Sequence, residues 1–254
     1  NRVSAWIKEQ IRLLGVPCHY QNFTANQQIY RNVVCSLNVG RADRVIVGAH
    51  YDVFGDQDGA DDNASGVAGV IETARILAEQ KSKLPNNVDF VFYSLEEPPF
   101  YKTEQMGSYV HAKSVQSQKD KIKGVYILEM IGFFSEQPIQ SYPVGLKWIY
   151  PTHGNFIATV SNVSSRDLGA GYCTAMQQLD QLECQRLVAP SFANAFDFSD
   201  HLNYWEFDIP AVMITDTAFY RNGHYHTKAD RLATLNLTKM ANVIDGLVQH
   251  LLKP

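Results

Sequence analysis

Acidic and histidine residues recur along this chain immediately after short apolar runs. His50-Tyr51-Asp52 follows RVIVG at 44–48, Glu96-Glu97 follows DFVFYS at 89–94, and Glu129 follows GVYIL at 124–128. GADDNASG at 59–66 lies between the first two, and Ser199-Asp200-His201 and His224-Tyr225-His226-Thr227 come late. Imidazole and carboxylate donors without thiolates suit a metal site that keeps positions open for water and substrate. Two ions about 3.5–4 Å apart can share a carboxylate, acidify a water and polarise a carbonyl. A glutamate beside a ligating one is then placed to move a proton.

Each piece also has an ordinary reading. A histidine after a strand is usually a hydrogen-bonded surface residue, adjacent glutamates usually form a solvated face, and GADDNASG alone reads as a polar turn before a helix. DQDGADD at 56–62 hints at a calcium loop but lacks the alternation and distal Glu of an EF-hand. The coincidence of position outweighs these readings. A carboxylate at the end of a buried strand is costly to desolvate unless it meets a cation, and here such groups recur in the same topological place.

The positioning elements follow from periodicity. Residues 3–14 carry Val3, Ile7, Ile11 and Leu14 on one helical face, with Gly15 and Pro17 as a stop. Residues 66–80 form a second helix with Ser65 as its expected cap, and 237–252 a closing amphipathic helix. Strands are predicted at 30–37, 44–48, 89–94, 124–128 and 210–214. Strands separated by helix-length segments predict an α/β fold, a mostly parallel central sheet covered by helices on both faces. The chain reads as a single domain, 1–254, with the weakly patterned stretch 134–195 as the place for an insertion or lid. Aromatic residues there (Phe133, Phe134, Tyr142, Trp148, Tyr150) suit either an apolar pocket or core packing.

Composition narrows the function classes. The 254 residues are 45% hydrophobic and 19% charged with a net charge of −4, so no basic excess exists for nucleic acid or an anionic membrane. No apolar run approaches the roughly 20 residues of a membrane span. The chain opens on Asn1-Arg2-Val3-Ser4 without Met or a signal-like stretch, which reads as a mature or trimmed form. The four cysteines show no CxxC spacing. Cys173 and Cys184 are spaced for a small disulfide loop, and two buried thiols fit the same letters.

In order and type, HYD, GADDNASG, EE, an acidic residue after a later strand, and HT near the C-terminus resemble the co-catalytic zinc aminopeptidases. That family includes secreted bacterial leucyl aminopeptidases, glutamate carboxypeptidase and glutaminyl cyclases, and the likeness runs from about residue 44 to the end. The resemblance implies that His50 and Glu129 bind one zinc, Glu97 and His226 the other, and Asp62 both, with one zinc as the alternative stoichiometry. It implies Glu96 as general base, Asp52 as the residue orienting His50, and Asp200 and Asp230 as further supports. It also implies a peptide substrate and an extracellular or periplasmic location; the residues read out no oligomeric state. Glu129 stands where well-studied members have Asp. Phe196 stands where a secreted member has a carbonyl-stabilising tyrosine, leaving His201, Tyr204 and Tyr225 as alternative donors and His224 as a substrate contact. The leading expectation is hydrolysis of an N-terminal residue from a peptide. Glutaminyl cyclisation on the same scaffold and a non-catalytic binding ectodomain are the rival readings.

Overall fold

The computed structural model describes residues 2–143, 146–189 and 198–253. Its centre is an eight-stranded sheet built from β1 (Cys18–Ala25), β2 (Gln28–Leu37), β3 (Arg44–His50), β4 (Asn87–Tyr93), β5 (Ile122–Glu129), β6 (Phe156–Asn162), β7 (Glu183–Ala189) and β8 (Ala211–Thr215). The spatial order is β1-β2-β4-β3-β5-β8-β6-β7. The four middle strands, β4, β3, β5 and β8, are parallel neighbours, so their carboxyl ends emerge along one edge. Every residue of β4 and β8 is buried, which is why these segments read as continuous apolar runs rather than alternating ones. β2 pairs antiparallel with β1 and β4, while β6 is antiparallel to β8 and parallel to β7.

Side chains of β3, β4 and β5 alternate between two cores. Val45, Val47 and Ala49 of β3 join Ile7 and Ile11 of α1 (Arg2–Leu13), Leu77 of α2 (Gly66–Glu79), Met176 of α4 (Arg166–Leu179) and Leu247 of α6 (Leu237–Leu251). Ile46 of the same strand packs on the opposite face with Ala112 of α3 (Gly107–Val115) and Tyr204 of α5 (His201–Trp205). The sheet is therefore mixed but mostly parallel, with helices on both faces, as the sequence indicated.

The stretch expected to hold an insertion or lid is structural over 156–189, where β6, α4 and β7 extend the sheet. Its weak pattern has a physical origin: β7 lies at the sheet edge with Glu183, Arg186 and Val188 exposed, so neither face repeats cleanly. Two disulfides are present. Cys173–Cys184 ties α4 to β7, settling the two readings of that pair. Cys18–Cys35, which sequence spacing did not suggest, joins directly opposed positions of β1 and β2.

Gly48 of β3 lies under Tyr93, whose hydroxyl is engaged with that of Tyr204 at 2.7 Å. A Cβ at Gly48 would meet the Tyr93 ring at 2.5 Å. Gly48→Ala is therefore expected to cost about 1–3 kcal/mol by overpacking, read as a lower urea midpoint. An unchanged midpoint would contradict this packing.

Candidate metal centre

The sheet delivers the acidic and histidine side chains to one edge. His50 is the last residue of β3 and Glu129 the last of β5, while Glu96 and Glu97 follow β4 by three and four residues. The chain turns away from these ends through non-glycine residues with left-handed backbone: Leu95 (φ 66), Met130 (φ 49), Thr217 (φ 85) and Ala218 (φ 49); His226 itself has φ 56. Such conformations persist only where the surroundings over-determine them, and they concentrate at functional sites.

GADDNASG forms a kinked turn over 60–65 ahead of α2, with Asp62 (φ −106, ψ 89) and Asn63 (φ −131, ψ 39) outside helical geometry. Gly59 (φ 59) opens it, and a Cβ there would meet the Asp62 carbonyl oxygen at 2.5 Å. Gly66 closes it against Asn63 Oδ1 and the Leu128 carbonyl. The Asp62–Asn63 peptide is cis. Ser65 does not cap α2 as expected; its hydroxyl donates to the Asp61 carbonyl at 2.7 Å and accepts from Ile131 N at 3.0 Å. The turn is thus bolted to the exit of β5.

Asp62 sits between the two imidazoles, with Oδ1 3.4 Å from His50 Nε2 and Oδ2 3.1 Å from His226 Nε2. Glu129 Oε2 lies 3.4 Å from His50 Nε2, and Glu97 Oε2 lies 3.3 Å from His226 Nε2. These contacts define two donor groups, His50–Asp62–Glu129 and Asp62–Glu97–His226, with Asp62 in both. Glu96 belongs to neither; its Oε2 is 3.9 Å from His50 Nε2. His50 Nε2, His226 Nε2 and Glu97 Oε1 are buried without a hydrogen-bond partner. Converging buried nitrogen and oxygen atoms without partners fit the needs of divalent cations, and carboxylate–imidazole sets of this kind suit zinc.

Electrostatics describe the same strain. Burial and the nearby Glu129, Asp200 and Glu97 raise the Glu96 carboxyl well above the usual range against the pull of His50. Burial raises Glu97 and Glu129 as well. Burial also raises Asp62, but the facing His226 and His50 imidazoles outweigh it and hold that carboxyl at about 2. The imidazoles respond in kind. Burial lowers both, yet the surrounding carboxylates lift His50 well above its ordinary value and His226 to about 9.

Other expected residues fall into place unevenly. Asp52 is near the site, but its carboxylate accepts from Glu96 N at 3.2 Å and Glu97 N at 3.1 Å, which fixes the Glu-Glu turn. His50 Nδ1 is closer to the Asp52 carbonyl (3.2 Å) than to its carboxylate (3.6 Å). Asp230 accepts from Asp61 N and Asp62 N at 2.9 and 3.1 Å. Asp200 is fully buried beside α5, and burial pushes its carboxyl up to about 7. His201 is buried with its ring edge-on to Trp205 at 4.6 Å.

Tyr204 is a correction. Its hydroxyl is taken by Tyr93 and His111 Nδ1, each at 2.7 Å, inside the second core, so it is not offered to a substrate. His224 is half-buried with its backbone N–H on Asn222 Oδ1. Tyr225 stacks on His226 at 3.8 Å, and Phe54 covers the other imidazole contact at 4.2 Å, which fixes the ring plane. Phe196 lies outside the described residues.

Sequence reasoning missed Asn63, Ser199 and Asn222. Asn63 Nδ2 donates to the Leu128 carbonyl at 2.9 Å and Glu129 Oε2 at 3.3 Å. Ser199 Oγ donates to the same oxygen at 2.7 Å. The motifs holding Asn63 and Ser199 were visible; single short polar side chains beside a recognised ligand were the available signal.

A cavity leads from the two donor groups along the face of β8, β6 and β7 that points away from the α4–α6 core. Phe156, Ala158, Val160 and Met213 line it from the sheet, and Tyr142, Leu146 and Tyr150 from the connection before β6. Phe198, Phe219 and Tyr225 line it as well. Of the aromatic residues left between pocket and core, Tyr142 and Tyr150 thus belong to the pocket. Phe134 packs against the first core, and Trp148 is 81% exposed.

Comparison with known proteins gives a consistent picture. Residues 32–251 match the model of peptidase family M28. The chain is 40% identical to the uncharacterized protein YfbL of Escherichia coli (strain K12), over 98% of this chain and 78% of that protein. It is 26% identical to leucine aminopeptidase 1 of Ajellomyces capsulatus over 82% of this chain, spanning about half (52%) of that protein's length. The glutaminyl cyclase of Porphyromonas gingivalis superposes with a TM-score of 0.72 at 19% identity, covering 97% of this chain and 87% of that one.

The raised histidine and glutamate values set a pH dependence for the metal-free chain. Each of these groups holds its proton more tightly folded than unfolded, so its stabilisation is complete below the unfolded pKa and lost as pH rises through the folded value. For His226 that window runs from 6.5 to about 9; the opposite contribution of Asp62 falls below pH 3.8. The Tm of metal-free protein is expected to decline from pH 6.5 to 9 in a thermal denaturation series. A Tm that rises across this window would contradict the assignment.

Proposed function

The chain belongs to peptidase family M28, and from that premise we propose that it is a zinc-dependent aminopeptidase releasing the N-terminal residue of peptides. The observation that carries the reading is the pair of donor groups sharing Asp62, with the non-ligating Glu96 beside the ligating Glu97 and an apolar cavity adjoining both. His50, Glu129 and Asp62 would hold one ion, and Asp62, Glu97 and His226 the other. When bound, the zinc ions supply Lewis acidity, lowering the pKa of water and polarising the scissile carbonyl.

The residues of the chain do the rest. Glu96 accepts the proton of the attacking water on its carboxylate and returns it to the leaving amine. A carboxyl raised by burial and by neighbouring carboxylates holds a proton more tightly than a solvated glutamate, which suits it to take one from water. Asp52 holds the backbone of Glu96 and Glu97, which keeps the base in register with the donor groups. Tyr225, lining the cavity beside His226, serves as hydroxyl donor to the carbonyl oxygen in place of Tyr204. The aromatic and aliphatic lining admits an apolar side chain and excludes water from the reacting bond.

The sequence relative called leucine aminopeptidase supports this reading. Glutaminyl cyclisation is the second reading, favoured by the fold shared with a glutaminyl cyclase; a measured stoichiometry of two zinc ions would favour hydrolysis. The two disulfides support an oxidising compartment, extracellular or periplasmic. No helix among the described residues is long and apolar enough to cross a membrane.

Zinc-loaded protein is expected to cleave leucyl and phenylalanyl anilides in preference to aspartyl or lysyl ones, and to lose this activity on chelation. Glu96→Gln is expected to lower kcat by about 10²–10⁴-fold with metal content unchanged, measured on the same anilides. Retained turnover would remove Glu96 as the base, and pyroglutamate formation from a Gln-initiated peptide without anilide cleavage would favour the cyclase.

A further inference from the structure

The loop 222–230 carries His226 and is fastened at both ends to the loop that carries Asp62. At its far end the Asp230 carboxylate accepts from Asp61 N and Asp62 N, and the Asp230 carbonyl accepts from Ala60 N at 3.4 Å. At its near end the fastening is one side chain, Asn222, which is 1% exposed. Asn222 Nδ2 donates to Asp61 Oδ2 at 2.8 Å, and Asn222 Oδ1 accepts from His224 N at 2.9 Å. Asp61 is itself held by Gly132 N, which donates to its Oδ1 at 3.0 Å. The Asn222 carbonyl accepts from Tyr225 N at 3.2 Å, so both of the residues preceding His226 hang on Asn222.

The other ligands do not need such a tie. His50 and Glu129 are strand residues, Glu97 is held through Asp52, and Asp62 is held through Asp230. Glu97 lies four residues beyond β4 and Asp62 four before α2, whereas His226 lies eleven residues beyond the end of β8 at Thr215 and eleven before α6 at Leu237. We infer that Asn222 is the positioning residue for His226, clamping it to the Asp62 loop and thereby setting the affinity of the Asp62–Glu97–His226 group. The residue type is specified by the two bonds: one planar amide supplies a donor and an acceptor on opposite atoms. Aspartate would keep the acceptor for His224 N but set a second carboxylate against Asp61, and alanine would keep neither.

The inference rests on the two donor groups binding zinc, and its test uses no substrate. Metal-free wild type, Asn222→Ala, Asn222→Asp and His226→Ala are titrated with zinc against a chromophoric chelator, and the Tm of each metal-free form is measured alongside. Loss of a supporting residue commonly weakens metal binding by about 10–100-fold. Both Asn222 variants are expected to weaken by that factor the ion that His226→Ala loses, leaving the ion retained by His226→Ala within about twofold. Asn222→Asp should be at least as weak as Asn222→Ala, and it carries the test if the alanine variant does not fold. Wild-type affinity in either variant would overturn the clamp, as would equal weakening of both ions in step with a lower metal-free Tm. A wild type that takes up zinc yet cleaves no peptide would refute the proposed activity while leaving this test intact.

Discussion

Four carboxylates, those of Asp62, Glu96, Glu97 and Glu129, are crowded into a nearly dry space with two imidazoles. Like charges at such range in a low-dielectric site cannot all persist unless protons or cations balance them. Among the described residues no lysine or arginine pairs with any of the four; their ionic contacts are with His50 and His226 alone. The side-chain hydrogen bonds they accept come from neutral donors, Asn63 Nδ2 and Ser199 Oγ, both on Glu129 Oε2. The chain thus leaves its excess negative charge to be met from outside, and the strained turns at the strand ends and the braced loops hold the donors in place for that.

The architecture explains why the site lies where it does. Four parallel neighbours deliver their carboxyl ends to one edge, so the last residues of β3 and β5 and the Glu96-Glu97 pair just after β4 meet without long excursions. The sheet is also asymmetric. Over β6, β7 and β8 one face is covered by α4 and α6, and the other supplies the floor of the cavity. The two donor groups and an apolar recess therefore share a wall, as the proposed aminopeptidase reading requires.

How much of this was legible in the sequence depended on burial. β3, β4, β5 and β8 are covered on both faces and announce themselves as apolar runs, and the candidate donors at the ends of β3, β4 and β5 are brought together by the fold. β1 and β7 are edge strands with half-exposed sides, so CHYQNFTA and ECQRLVA carry no clear period. Tyr204 was misjudged because proximity to the Ser-Asp-His segment says nothing about direction, and its hydroxyl points into the core toward His111. Asp52 was expected to orient His50, but its carboxylate serves the backbone of another strand's exit, a relation only the fold creates. Asn222 shows the same limit of sequence patterns, since its two partners lie at Asp61 and His224.

The most direct test of the central claim is a crystal structure of zinc-loaded protein with anomalous data at the zinc edge. Two anomalous peaks are predicted, one among His50, Asp62 and Glu129 and one among Asp62, Glu97 and His226, with Asp62 contributing an oxygen to each. Zinc located away from these side chains, or no zinc retained at all, would contradict the account.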